Sequence, residues 1–156
     1  MPQHAQHTAD RLDLLELVAA YAITVDARDI DAIVDCFAPD ARLEFVSDSL
    51  VLHGHDEIRR FYVEAFRRPG LSSGVSTHVM TNTMIRFDEP LGGTSEVAGT
   101  ARLITQAIAH LPDGAGQIAV RGLVYTDRCV RTAAGWRFAD RQHRLLWAGT
   151  MPGNPA

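Results

Sequence analysis

Thr77-His78-Val79-Met80-Thr81-Asn82-Thr83-Met84-Ile85-Arg86-Phe87 is the stretch from which the fold is read. It is rich in threonine, β-branched and large apolar residues and holds neither Gly nor Pro, the composition of a pleated strand. At a period of two, His78, Met80 and Asn82 fall on one face. A histidine turned inward needs a hydrogen-bonding partner, and the chain supplies a candidate upstream. Asp26 stands four residues after Ala22 and so continues the apolar face of a first helix. A carboxylate in that position is costly unless something pairs with it. If Asp26 and His78 meet, they form a base and its orienting group.

Working outward from this strand, the C-terminal half is a succession of strands. They are expected near residues 75–87, 95–110, 117–131 and 135–147. The breaks Glu89-Pro90-Leu91-Gly92-Gly93, Pro112-Asp113-Gly114-Ala115-Gly116 and Ala133-Ala134-Gly135 all have turn chemistry. Leu123 and Tyr125 share one face of a central strand. Ala139, Arg141 and His143 share a face of the last one by simple alternation.

Towards the N-terminus the period changes. Residues 1–7 read as a loose polar tail, with Thr8 as N-cap of the first helix and Leu15, Val18, Ala19 and Ala22 on its buried face. A second helix is expected from Ile30 to Phe37, ended by Pro39-Asp40. Short strands follow at Arg42–Val46 and Leu50–Leu52, joined by Ser47-Asp48-Ser49. A third helix runs from Gly54 to Pro69, with Phe61, Val63 and Phe66 as its apolar surface. Helices first and a long antiparallel meander after them make an α+β fold: a strongly bent sheet wrapped around the helices, with a cavity between the layers.

The chain has 156 residues, enough for a single domain (1–156, with an ordered core at about 9–147). Its formal net charge of −4 leaves no basic stripe for phosphates, which argues against nucleic-acid binding. The arginines Arg59, Arg60, Arg67 and Arg68 sit on a predicted helix beside Asp56, Glu57 and Glu64 and read as a solvated face with local ion pairs. Cys36 and Cys129 belong to no C-x-x-C motif, so a disulfide framework is not expected and a reducing compartment fits. There is no membrane-spanning apolar run and no hydrophobic signal core in the first seven residues, so the expected location is cytoplasmic. His53-Gly54-His55 lacks a third clustered ligand, and no metal site is expected. No phosphate-binding glycine loop or nucleophile elbow is present. Chemistry without a cofactor is what remains.

The order of these motifs resembles a known family. Tyr21-Ala22-Ile23-Thr24-Val25-Asp26, Arg28-Asp29, Phe37-Ala38-Pro39-Asp40-Ala41, Gly54-His55-Asp56-Glu57-Ile58, His78-Val79-Met80-Thr81-Asn82 and Gly135-Trp136-Arg137-Phe138-Ala139 together resemble SnoaL-like proteins of the nuclear-transport-factor-two-like superfamily, over residues 9–147. The resemblance implies a cone-shaped α+β barrel of the cystatin-like type. Within it the chain is similar to the branch of scytalone dehydratase and hexachlorocyclohexane dehydrochlorinase, whose shared carboxylate–histidine pair falls on Asp26 and His78. The dehydrochlorinase's cation falls on Arg141. The chain departs from both enzymes: no second histidine stands near Thr100, Phe45 replaces a tyrosine, and Tyr21 replaces a lysine.

What these readings imply is a proton-transfer site. His78 is the candidate base and Asp26 its orienter, with Tyr21 or Arg141 stabilising negative charge. Asn82, Met80, Leu123, Tyr125, Phe45 and His143 are candidate substrate-binding residues. Each has a structural alternative: a satisfied core histidine, a wall tyrosine, a surface ion pair, a cross-strand amide. The expected activity is that of a cofactor-independent lyase or isomerase acting on a small, largely apolar cyclic substrate. The alternative is a non-catalytic ligand-binding or accessory subunit, as in the β subunits of ring-hydroxylating dioxygenases. A homodimer or homotrimer is expected, because broad sheets pair.

Overall fold

The computed structural model describes residues 2–68, 76–88, 99–113 and 115–153. Two helices, α1 (Pro2–Ala27) and α2 (Ile30–Asp35), open the chain, and α3 (Gly54–Arg67) follows the first two strands. The strands are β1 (Phe37–Phe45), β2 (Leu50–His53), β3 (Thr77–Phe87), β4 (Thr100–Pro112), β5 (Gln117–Thr132) and β6 (Gly135–Pro152). They form one unclosed sheet in the order β2-β1-β6-β5-β4-β3. The expected meander from β3 to β6 is antiparallel throughout, but β1 joins β6 in parallel. The α+β class holds, with a mixed rather than purely antiparallel sheet.

Three expectations for the N-terminal half are corrected. The first helix starts at Pro2, so residues 2–7 are helical and Thr8 is interior, not a cap. Pro suits a first helical turn, and the sheet supports the extension: His7 stacks on Phe87 at 4.9 Å, and Arg11 lies over the same ring while donating to the Ile85 carbonyl. The buried stripe is Leu14, Leu17, Val18, Tyr21, Ala22 and Val25, whereas Leu15 and Ala19 face outward. The helix carries two apolar stripes of equal spacing, and only the sheet chooses between them. The second helix stops at Asp35, and Phe37, Pro39 and Asp40 lie in β1. Pro39 is tolerated there because the β1–β6 register breaks between Phe37 and Arg42, where no ladder donor is required.

Gly54 and Gly135 punctuate the chain as expected, with φ of +68° and +102°. β4 begins at Thr100, and the part of its expected span at 95–98 lies outside the described residues, as do the turn at 89–93 and residues 69–75. β6 continues past residue 147 to Pro152.

The sheet's inner face is built in transverse rows. Ile85, Leu103, Asp127, Arg141 and Leu43 follow one another across five strands, and all are buried. The next row is Thr83, Thr105, Tyr125, His143 and Phe45. Beyond it come Met80, Ala107, Leu123 and Leu145, then His78 and Ala109. His143, Phe45, Met80, Leu145 and His78 are only half-buried, so the cone is closed at the Arg141 row and opens towards His78. The small side chains of Ala107 and Ala109 leave the space that a larger residue would fill.

Candidate functional site

Asp26 sits in the last turn of α1. The helix ends in a left-handed residue, Arg28 (φ 58°), with Arg28 N–H donating to the Val25 carbonyl and Asp29 N–H to the Thr24 carbonyl. This Schellman closure fixes the direction in which Asp26 points. The negative end of the helix dipole disfavours a carboxylate there, and three donors offset the cost. Ser76 Oγ donates to Asp26 Oδ1 at 2.9 Å, the His78 main-chain N–H to Oδ2 at 2.7 Å, and His78 Nδ1–H to Oδ1 at 2.6 Å. Because β3 is an edge strand, an outward-facing amide of its main chain is free to be taken in this way.

The expected pair therefore meets. Its side chains are 12% exposed for His78 and 20% for Asp26, so they are sheltered without being sealed. The ring's Nδ1 is committed to Asp26, which leaves Nε2 as the lone-pair nitrogen with no hydrogen-bonding partner among the described residues. A small cavity of about 110 Å³ is bounded by His78 together with Val25, Phe66, Ser76 and Leu111. A larger groove of about 470 Å³ runs over Met84, Ile104, Arg128 and Gln142 on the outer face of the sheet, away from the pair.

The other candidate residues are placed differently from expectation. Asn82 is not on His78's face. Met80 pairs with Ala107 and Thr83 with Thr105, so Thr81 and Asn82 together oppose Gln106 in a β-bulge. The extra residue turns Asn82 outward, where its amide donates to Gln106 Oε1 at 2.9 Å. Met80 remains on the inner face. A second bulge, on β6, corrects the Ala139–Arg141–His143 alternation. Phe138 pairs with Cys129 and Asp140 with Arg128, so Ala139 is the extra residue and Phe138, Arg141 and His143 are the ones that point inward.

Arg141 is fully buried and is not a surface ion pair. Its Nε and one terminal nitrogen donate to the two oxygens of Asp127 at 2.8 and 3.1 Å, and Asp127 keeps the guanidinium firmly charged against the desolvation that opposes it. Its carbon lies 4.2 Å from the Tyr21 ring centre, 4.4 Å from Tyr125 and 3.8 Å from Phe138. The remaining terminal nitrogen, Nη1, is buried without a hydrogen-bonding partner among the described residues. Arg141 thus forms the cation beneath the floor of the cone.

Tyr21 is buried, and its hydroxyl is 2.6 Å from that of Tyr62 on α3. Burial raises the pKa of both phenols, with Arg141 pulling Tyr21 part of the way back. Leu123 and Tyr125 are buried on the inner face, and burial likewise pushes Tyr125 well up. His143 packs between Tyr125 and Phe45 with ring centres at 5.3 and 5.0 Å. Burial lowers its pKa to about 4, helped by the positive charge of Arg141 and opposed by a hydrogen bond between the ring and its own main chain. Phe45 also stacks on Phe61 at 4.7 Å. His55 Nε2 is engaged with the Phe37 carbonyl at 2.9 Å, and no group of three or more metal-binding side chains occurs among the described residues.

Sequence reading passed over three members of the site: Ser76, Tyr62 and Asp127. Tyr62 has a legible signal, since it lies four residues after Ile58 and three before Ala65 on the buried stripe of α3. Asp127 alternates with Leu123, Tyr125 and Cys129, all inward. An unbulged hairpin, however, would oppose it to Asp140, hiding its partnership with Arg141.

A SnoaL-like domain family model matches residues 6–142. Among solved structures, the fold superposes on a candidate aromatic ring hydroxylase from Novosphingobium aromaticivorans (26% identity, 92% of this chain and 94% of that one, TM-score 0.77). It also superposes on a candidate scytalone dehydratase from the same organism (14% identity, 98% and 95%, TM-score 0.79). A hexachlorocyclohexane dehydrochlorinase, LinA-type3, from Novosphingobium barchaimii aligns as well (17% identity, 98% and 97%, TM-score 0.79). At 14% and 17% identity these last two likenesses concern the fold alone. No helix is long and apolar enough to cross a membrane among the described residues.

Proposed function

The chain belongs to the SnoaL-like family, and from that premise we propose that it is a cofactor-independent lyase or isomerase that removes a proton from carbon in a small, largely apolar cyclic substrate. The observation that carries this reading is the Asp26–His78 pair. Asp26 fixes the Nδ1–H tautomer and supports the imidazolium that forms, as the carboxylate does in a catalytic triad. His78 Nε2 takes the proton. In an elimination, the C–H electron pair becomes the new double bond while hydroxide or halide leaves with its own pair. In an isomerisation, it becomes an enolate. Tyr21 has its hydroxyl engaged with Tyr62, and Arg141 two of its nitrogens with Asp127, so both act on the site chiefly through the field they set up at its floor. The dehydratase and dehydrochlorinase names of two fold neighbours agree with this chemistry.

The test is a panel of hydroxylated and halogenated cyclic substrates incubated in D₂O and followed by NMR for elimination or for exchange at carbon. His78→Gln and Asp26→Asn are expected to abolish turnover while leaving the circular dichroism spectrum unchanged. An undiminished rate in either variant refutes the assignment.

One observation favours a second reading: the neighbour at 26% identity is described as a candidate aromatic ring hydroxylase. On that reading the protein is an accessory subunit, and the pair merely ties α1 to β3. A purified chain that is a stable homodimer or homotrimer alone speaks for the first reading; one that needs a larger partner to stay in solution speaks for the second.

A further inference from the structure

The cavity at His78 has a cation in its wall. Arg28, two residues beyond Asp26, borders the same space of about 110 Å³. Apart from Arg28, His78 and Ser76, that wall is apolar, and the Ser76 hydroxyl is given to Asp26. The Arg28 guanidinium carbon lies 5.9 Å from the centre of the Phe66 ring, which is itself part of the wall. The residue is half-buried and sits at the left-handed turn that closes α1, with φ of 58°. That backbone conformation favours glycine, yet the chain carries an arginine there. Arg141 cannot serve in its stead: it is tied to Asp127 at the closed end of the cone and is not among the residues that border this cavity. A guanidinium stays charged at any pH at which His78 could act as a base, and its planar fork matches a carboxylate. An apolar hollow with a base on one wall and a permanent cation on another suits a ring compound that bears an anionic group. Asp26 would repel such a group, but its charge is taken up by three donors and Arg28 supplies the opposite sign.

We propose that Arg28 selects the substrate of this site: it holds the carboxylate of a small cyclic carboxylic acid whose ring packs on Phe66 and Leu111. This rests on the reading of His78 as the base. In the elimination the chemistry at carbon is unchanged. The proton goes to His78 Nε2, the C–H electron pair becomes the new double bond, and the leaving group departs with its own pair. Arg28 neither gives nor takes a proton. By anchoring the carboxylate it fixes the ring and decides which C–H bond faces the base.

The test uses benzoate against benzamide, which has the same ring and nearly the same shape without the charge, titrated into the whole protein by calorimetry. Wild-type protein is expected to bind benzoate about tenfold more tightly than benzamide. Arg28→Gln should lose about tenfold in benzoate affinity while its benzamide affinity moves less than twofold, and Arg28→Lys should recover part of the loss. Arg28→Gly should behave as Arg28→Gln with an unchanged circular dichroism spectrum, because glycine adopts φ of 58° without strain. Leu111→Trp, which fills the cavity, should abolish the binding of both compounds. A wild-type protein with no preference for benzoate, unchanged benzoate affinity in Arg28→Gln and Arg28→Gly, or benzoate binding that survives Leu111→Trp overturns the proposal. The His78→Gln variant separates the two assignments. If it abolishes turnover while Arg28→Gln binds benzoate normally, the base stands and this role falls. If it leaves turnover intact while Arg28→Gln loses benzoate, the base reading is the one that fails.

Discussion

The Asp26 carboxylate holds His78 twice, taking the ring Nδ1–H on one oxygen and the main-chain N–H on the other. The ring is thereby oriented by the same group that fastens the free edge of β3 to the end of α1. The proposed role in chemistry and the role in architecture fall on one side chain, and two substitutions distinguish them. Asp26→Asn keeps an oxygen acceptor but favours the wrong tautomer of His78. It is expected to cost about 1–2 kcal/mol of stability and on the order of 10³–10⁴ in turnover. Asp26→Ala removes both bonds and should cost more stability with no greater loss of rate. Urea unfolding and the NMR turnover assay measure the two effects; a rate loss that merely tracks the stability loss would contradict the assignment.

The Tyr21–Tyr62 contact joins two buried hydroxyls at 2.6 Å. Tyr21→Phe or Tyr62→Phe alone strands the other hydroxyl and should each cost about 1–3 kcal/mol. The double phenylalanine variant removes both polar groups, so its cost should fall well below the sum. Simple additivity in a double-mutant cycle by denaturant titration would mean that the two are not coupled.

Arg141 and Asp127 are both fully buried. Asp127→Ala leaves a guanidinium unpaired among aromatic rings and is expected to destabilise by about 3–5 kcal/mol. Replacing both partners, as Asp127→Leu with Arg141→Met, should recover most of that loss, because the stranded charge is then gone. Thermal unfolding of the three proteins checks the order. A double variant as unstable as Asp127→Ala would show that the pair itself, and not the stranded charge, matters.

His143 sets a dependence on pH. Its folded pKa of about 4 lies below the unfolded value near 6.5. Between these values the unfolded chain binds the proton and the folded chain does not, so stability rises with pH. The contribution is fully present above pH 6.5 and is lost as the pH falls towards 4. It amounts to at most about 3 kcal/mol. His143→Phe should flatten the stability curve between pH 6.5 and 4, measured by urea titration at several pH values. A variant curve as steep as the wild type would place the titrating group elsewhere.

Much of this site was legible before any fold was known. Asp26 stood out because a carboxylate on an apolar helical face requires a partner, and His78 because an imidazole on an inner strand face does too. The two constraints point at each other across 52 positions of chain. Asn82 and the Ala139 alternation misled for one physical reason. Side-chain direction has a period of two only while the ladder is regular, and a single extra residue reverses it. The bulges at Thr81–Asn82 and at Ala139 are settled by the facing strands: at the second, the shift brings Arg141 inward opposite Asp127 and keeps Asp140 out.

The amino-acid order alone determined the succession of helices and strands, the turn at Ala133-Ala134-Gly135 and the identity of the acid–histidine pair. All of these follow from local propensity, periodicity and the cost of burying charge. The tertiary structure alone decided which of two equivalent stripes of α1 faces the sheet, that β1 lies parallel to β6, and which residues line the cone. Those depend on register and on contacts between segments distant in the chain. Local physics leaves such choices nearly degenerate in energy, and only the completed packing separates them.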